Sequence, residues 1–245
     1  MRVALVALAL AACSAGAAPP ATVADAFPPP PGAERATATG FGASLRALTV
    51  REAGVPVRTF DGRVVGHHAR VIELPLVKGD LQQCADSALR LRAEYLRDHD
   101  LPVVFHATSG DAMPWARYRD GERARAEGRG LVWGPAEPAS WDRYLRDLFT
   151  WAGTRSLQAY DTLPDDHPDP GDVLVEGGSP GHAVVLLDVA RRGDTTWLLL
   201  GEGFMPAQDF HVELGPDAGW WRWDPQEGVT LPAWRFGPTA LRAWR

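Results

Sequence analysis

Thiol chemistry needs a sulfur whose anion is stabilised and a base that exchanges its proton. Cys84 stands in Asp80-Leu-Gln-Gln-Cys-Ala-Asp86, and the apolar positions 81, 84, 88, 91 and 95 recur at steps of three and four. This period predicts a helix over 79–97 with one buried face, N-capped by Asp80 and with Gln83 as the third residue of a capping box. Cys84 then falls in the first turn, on the core-facing side. The free N–H groups and the positive end of the helix dipole there favour a thiolate.

His182 is the base that the spacing offers. It opens the run His182-Ala-Val-Val-Leu-Leu-Asp-Val189 directly after Gly178-Ser-Pro-Gly181, so its ring stands at the exposed end of a strand, where it can face a cleft. If the next hairpin closes at 191–194 with residue 190 opposite 195, Glu202 becomes a cross-strand neighbour of His182. Its carboxylate can then hold the second ring nitrogen.

Two other patterns invite chemistry and fail on physical grounds. Gly177-Gly-Ser179-Pro-Gly181 fits the Gly-x-Ser-x-Gly pattern of serine hydrolases, but that serine needs a helix after it and a Val/Leu-rich strand follows. Pro180 also lacks the N–H that the residue after such a serine donates to the oxyanion. His67, His68, His99, His106, His167 and His211 show no His-x-x-x-His pair and no cysteine cluster, so neither a metal site nor a cofactor is expected. His211, with Asp209 before it, is the other pair that could share the site of His182.

The elements that must position these groups follow from the patterning. Residues 40–78 alternate weakly and are broken by Asp61-Gly62, which predicts a β lobe of short strands and turns. After the Cys84 helix, 101–107 reads as a strand and 108–138 as irregular chain. Ser140 caps a second helix with the stripe Trp141, Tyr144, Leu145, Leu148, Phe149 and Ala152, ended by Gly153. The Pro-rich acidic stretch 161–171 reads as a loop. Residues 172–176, 182–189 and 195–200 form an antiparallel meander. The tail from 203 holds five of the ten tryptophans and wraps the sheet as edge strand and loop, its indoles covering the core rather than stacking on sugars. The fold class is α+β, a helix bearing Cys84 packed on an antiparallel meander, with additional N-terminal strands and a Trp-rich C-terminal wrap.

Composition narrows the partners. With 25 Lys+Arg against 31 Asp+Glu the chain carries a formal charge of -6, which gives no basic surplus for nucleic acid. The apolar run from Val3 to Ala12 is about half the roughly 20 residues of a membrane-spanning helix. With Arg2 before it and Leu10-Ala-Ala-Cys13 at its end, it has the layout of an export signal, residues 1–12. Those last four residues resemble the bacterial lipobox, in which the cysteine is lipidated and becomes the new N-terminus. Cys13 then anchors the protein to the membrane, and 13–39 is a tether rich in Ala and Pro. The absence of Asp at position 14 resembles lipoproteins sent to the outer membrane. Cys84 remains as the single thiol of the folded part, which excludes an internal disulfide.

Taken together, Gln83-Cys84 at a helix start, Gly171-Asp172 and Gly181-His182 each opening a strand, and Glu202 on the next strand resemble the papain-like hydrolases of the bacterial CHAP type. Those cleave amide bonds of cell-wall peptides. The resemblance implies a papain-like core over 79–245 within a single domain 40–245. It makes Cys84 the nucleophile, His182 the base and Glu202 the orienting group, with Gln82 or Gln83 near an oxyanion hole completed by backbone N–H. The orienting Asn of papain has no counterpart, because the chain contains no Asn. Longer strings, among them Arg90-Leu-Arg-Ala-Glu-Tyr-Leu96, Ala152-Gly-Thr-Arg-Ser-Leu157 and Met205-Pro-Ala-Gln-Asp-Phe-His211, resemble a family of bacterial lipoproteins known as a numbered domain of unknown function. The expected function is a lipid-anchored, thiol-dependent amidase or endopeptidase of wall peptides in the cell envelope. The rival is a non-catalytic lipoprotein in which the scaffold serves binding or assembly, Cys84 is buried and His182 is structural.

Overall fold

The computed structural model describes residues 21–65 and 69–245. The expected signal peptide, Cys13, the start of the tether, His67 and His68 lie outside the described residues. The first half of the chain runs α1 (Val23–Ala26), β1 (Glu34–Arg35), α2 (Gly40–Arg46), β2 (Ala69–Val71), α3 (Cys84–Asp98), β3 (Val104–His106), β4 (Ala112–Pro114) and α4 (Trp115–Arg119). It continues with β5 (Glu122–Glu127), β6 (Gly130–Pro135), α5 (Trp141–Trp151) and α6 (Thr154–Ser156), which runs into a π-helical turn, Leu157–Asp161. The second half is almost wholly β: β7 (Thr162–Pro164), β8 (Val173–Glu176), β9 (His182–Arg192), β10 (Thr195–Glu202), β11 (His211–Glu213) and β12 (Trp221–Trp223). Then come β13 (Val229–Thr230), β14 (Arg235–Phe236) and β15 (Leu241–Trp244).

The fold is mixed α and β, with one large antiparallel sheet and few helices. Along the sheet the order is β2, β11, β10, β9, β8, β15, β7, with β1 added on β9 and β12 on β10. The expected meander is present as β8, β9 and β10. Both faces of its centre are covered, which is why residues 182–190 are buried without interruption. Val185 and Leu187 face a core shared with α3 and α5, whereas Val184 and Leu186 face a second core with Trp223, Phe236 and Leu241 from the C-terminal region. The tail therefore covers the sheet as its indoles suggest, but its last strand is not an edge. β15 inserts between β8 and β7.

Several expected elements differ, each for a physical reason. The β lobe begins instead with helix α2, whose Phe41, Gly42 and Leu45 are buried together, and β2 joins the main sheet through β11. Within the stretch expected as a tether, Thr22 caps α1, and Val23 and Phe27 are core residues. Arg35, beyond α1, and Arg46 at the end of α2 both pair with the fully buried Asp188 of β9, Arg46 Nε donating at 2.8 Å. A buried carboxylate left unpaired costs roughly 3–5 kcal/mol, so this clamp ties the N-terminal segment to the sheet. The stretch 108–138 contains a hairpin, β5 and β6, turning at Gly128 with φ 62°. Its strand Glu-Arg-Ala-Arg-Ala-Glu has only Ala124 and Ala126 to alternate with charge, and Ala124 alone is buried, too weak a pattern to reveal it.

Candidate functional site

Helix α3 starts at Cys84, later than its pattern suggests. Its N-cap is Gln83, whose N–H donates to the Asp86 carboxylate at 3.0 Å, so the capping pair lies three residues beyond the expected Asp80 and Gln83. Asp80 instead accepts the Ala207 N–H at 2.7 Å and the Gln83 amide at 3.3 Å, tying the loop after β10 to the helix start. The shift also turns the helix. Ala85, Ala88, Leu89 and Leu91 form its buried side, and Cys84 is half-buried and lines a cleft rather than facing the core. As the first residue of the helix, Cys84 keeps the position in which backbone N–H groups have no intrahelical acceptor. Burial pushes the nearby Asp86 carboxyl up to about 7, against the pull of the Gln83 and Asp86 N–H groups.

Cys84 and the His182 imidazole line the same cleft, and the sulfur acts on the ring electrostatically. Nε2 of His182 lies 2.7 Å from Glu202 Oε2, which leaves Nδ1 as the ring nitrogen for the thiol. Burial opposes a charge on His182, but Cys84 and Glu202 outweigh it and raise the ring to about 9. For Glu202, burial is again the largest influence and opposes the charge, yet His182 and His211 hold the carboxyl down at about 2. Phe204, Trp234 and Phe236 pack around the imidazole at ring separations of 5.2, 5.7 and 5.7 Å. Trp234 is fixed in turn by its indole N–H, which donates to Glu176 Oε2 at 3.2 Å.

The register differs from the expected one and still delivers Glu202. Ala190 pairs with Trp197 rather than with residue 195, and a bulge at Leu199/Leu200 moves the partners by one. On the far side of β10, Glu202 pairs directly with His211. His211 Nε2 stands 3.6 Å from Glu202 Oε1 and 3.7 Å from Glu213 Oε2. Burial works against its charge, but the two glutamates and the Asp209 carbonyl raise it to about 9. Glu202, His211 and Glu213 bring three donor atoms within 4.8 Å of one another in the interior, and Asp165, Asp166 and His167 form a second such group on the outside. The absence of a helical histidine pair therefore did not exclude a donor cluster, because this one is assembled across strands.

Two clefts meet at this pair. One, of about 280 Å³, contains Gln83, Cys84, Asp86, Thr154, Ser179 and His182 in its lining. The other, of about 590 Å³, is walled by apolar groups including Val64, Val65, Pro206 and Leu231, with Glu202 and Glu213 also in its lining. His182, Phe204, Met205 and Trp234 belong to both. Of the two expected oxyanion glutamines, only Gln83 reaches a cleft. Gln82 is fully buried, its Oε1 accepting from Arg90 Nη1 at 2.6 Å and from the Val77 N–H at 3.3 Å.

A family model described as domain of unknown function 4846 matches residues 23–243. The chain belongs to that family. The match begins where α1 begins, and Arg35, Arg46 and Asp188 lie within it. No curated protein and no solved structure matches the chain. Among the described residues no helix is long and apolar enough to cross a membrane.

Of the residues expected at the site, the structure gathers Cys84, His182, Glu202 and Gln83 around the two clefts and keeps Gln82 buried away from them. Sequence reasoning missed the ring of Phe204, Trp234 and Phe236 around His182, because nothing in the spacing of the tail says which aromatics turn inward. Glu213 had a usable signal: it lies two residues after His211, on the same face of a strand.

Proposed function

We propose that the protein is a thiol-dependent amide hydrolase with a papain-like arrangement. The supporting observation is a half-exposed cysteine at a helix N-terminus beside an imidazole whose other nitrogen is held by a buried carboxylate at 2.7 Å. Cys84 gives its proton to His182 Nδ1 and attacks the amide carbonyl. The N–H groups of the first turn, with Gln83 beside them, receive the oxyanion. As the C–N bond breaks, the imidazolium protonates the departing amine. His182 then takes a proton from water, the resulting hydroxide attacks the thioester, and the carboxylic acid and free thiol are released. Glu202 keeps the ring oriented and stabilises its cation in both halves of the reaction.

Cell-wall peptide is the proposed substrate class, because the helix, strand and acid order resembles hydrolases of such peptides and the joined clefts form an open trough. Incubating the full-length protein with purified wall peptides and reading products by mass spectrometry tests this. Wild type should cleave an amide bond and Cys84→Ala should leave all peptides intact. Absence of cleavage by wild type, or cleavage that survives Cys84→Ala, overturns the reading. A lipid anchor at Cys13 is proposed from Leu10-Ala-Ala-Cys13 and the apolar run before it. Cys13→Ala should then move the protein from the membrane fraction to the soluble fraction, and unchanged fractionation would count against the anchor.

A further inference from the structure

We propose that Glu202, His211 and Glu213 form a binding site for a divalent transition-metal cation of the zinc class, at the base of the apolar cleft. The inference does not depend on hydrolysis at Cys84. It rests on how three buried donors are arranged.

The first observation is the orientation of His211. Its Nδ1 lies 2.9 Å from the Asp209 carbonyl oxygen, which can only accept, so Nδ1 carries the hydrogen. Nε2 is thereby aimed at the two carboxylates. A ligating histidine is held in this way, its second nitrogen donating to a carbonyl or carboxylate behind it.

The second observation is spacing. Nε2 stands 3.6 Å from Glu202 Oε1 and 3.7 Å from Glu213 Oε2, and all three residues are buried on paired strands that bring them together. Two ligand atoms that each sit about 2.0–2.2 Å from a tetrahedral zinc ion are roughly 3.3–3.6 Å apart. The observed separations are close to the edge of such a coordination polyhedron.

The chemistry of the set narrows the cation. One imidazole and two carboxylates suit zinc and its neighbours, whereas calcium takes six to eight oxygens and magnesium keeps most of its water. Glu202 and Glu213 both line the cleft of about 590 Å³, so a cation with three protein ligands keeps a position open to water or to a bound group. The charges around the site are mixed. His182 on Glu202 Oε2 opposes a second cation nearby, and Arg63 lines the same cleft. Glu202 and Glu213 attract one, and the cation would take the place of the proton on His211 Nε2.

Zinc titration of the full chain carrying Cys84→Ser, followed by calorimetry and by metal analysis after dialysis, tests the site without competition from that thiol. One equivalent should bind, with no comparable binding of magnesium or calcium ions. Glu213→Gln, which keeps size and hydrogen bonding, and His211→Ala should each lose that equivalent while circular dichroism still reports a folded chain. Should His211→Ala not fold, Glu213→Gln alone decides. No stoichiometric zinc in the Cys84→Ser protein, or retention of the equivalent in a folded Glu213→Gln protein, overturns the proposal. Failure of the hydrolysis assay leaves the zinc result unaffected, so the two readings fall separately.

Discussion

His182 is held at one nitrogen by Glu202 and lines the same cleft as Cys84, with Phe204, Trp234 and Phe236 packed around the ring. Removing the ring should therefore alter the sulfur itself, whatever the substrate. Iodoacetamide should alkylate Cys84 in the native wild type more slowly once His182→Ala is introduced, and hydrolysis should fall by on the order of 10²-fold or more. Glu202→Gln should lose less in both assays, since an amide oxygen still accepts the ring N–H and only the charge is lost. Following alkylation by mass spectrometry separates these cases. Equal rates in wild type and His182→Ala would mean that the two side chains are neighbours without being partners.

At the scale of elements, the site depends on how closely the end of β10 approaches the first turn of α3. Gly203 makes that approach, since a Cβ there would stand 2.4 Å from Ser87 Oγ and 2.9 Å from the Gln83 carbonyl oxygen. Gly203→Ala should cost about 1–3 kcal/mol in chemical denaturation and slow alkylation of Cys84, because the helix start must move away from His182. Ser87→Ala in the same chain should recover only part of the loss, as the contact with the Gln83 backbone remains; full recovery would place the strain at Ser87 alone. Closeness of this kind is invisible in a sequence, and it marks where sequence reading stopped. The β8–β10 meander was legible because continuous Val/Leu runs between Gly-rich turns have few other solutions. Helix α5 was legible because Ser140 caps a clean stripe, and its Oγ accepts the Arg143 N–H at 3.2 Å. The start of α3 was not, because Asp80 and Gln83 satisfy a capping pattern in sequence while Gln83 and Asp86 satisfy it in space. Helix α2 and the β5–β6 hairpin were hidden for opposite reasons. The first is too short to show a period, and in the second only Ala124 is buried, with Leu131 and Trp133 partly covered.

The whole molecule carries an unusual set of buried carboxyls. Burial raises Asp172 from 3.8 to about 7, with Asp165 and Asp169 adding repulsion and the Asp169 N–H opposing, and burial likewise raises Asp161 to about 6 and Asp86 to about 7. A carboxyl whose pKa is higher in the folded chain than in the unfolded chain binds its proton more tightly when folded. Its contribution is fully present below about pH 4 and is lost as the pH rises toward 7. This runs against the usual acid denaturation, in which paired carboxylates stabilise the chain at neutral pH. Asp172 is the group on which to test it, for it lies outside both clefts and its Oδ2 accepts the Asp169 N–H at 2.8 Å, a bond that an Asn oxygen can keep. A rise of about 3 pH units sets a ceiling of roughly 4 kcal/mol on the effect, and residual exposure lowers this to on the order of 2 kcal/mol. Asp172→Asn should accordingly exceed wild type in stability by about that amount near pH 8, with the gap closing toward pH 4. Urea unfolding of both proteins across this range measures the difference, and a gap that stays constant or widens in acid would mean that Asp172 is ionised and paired in the folded state.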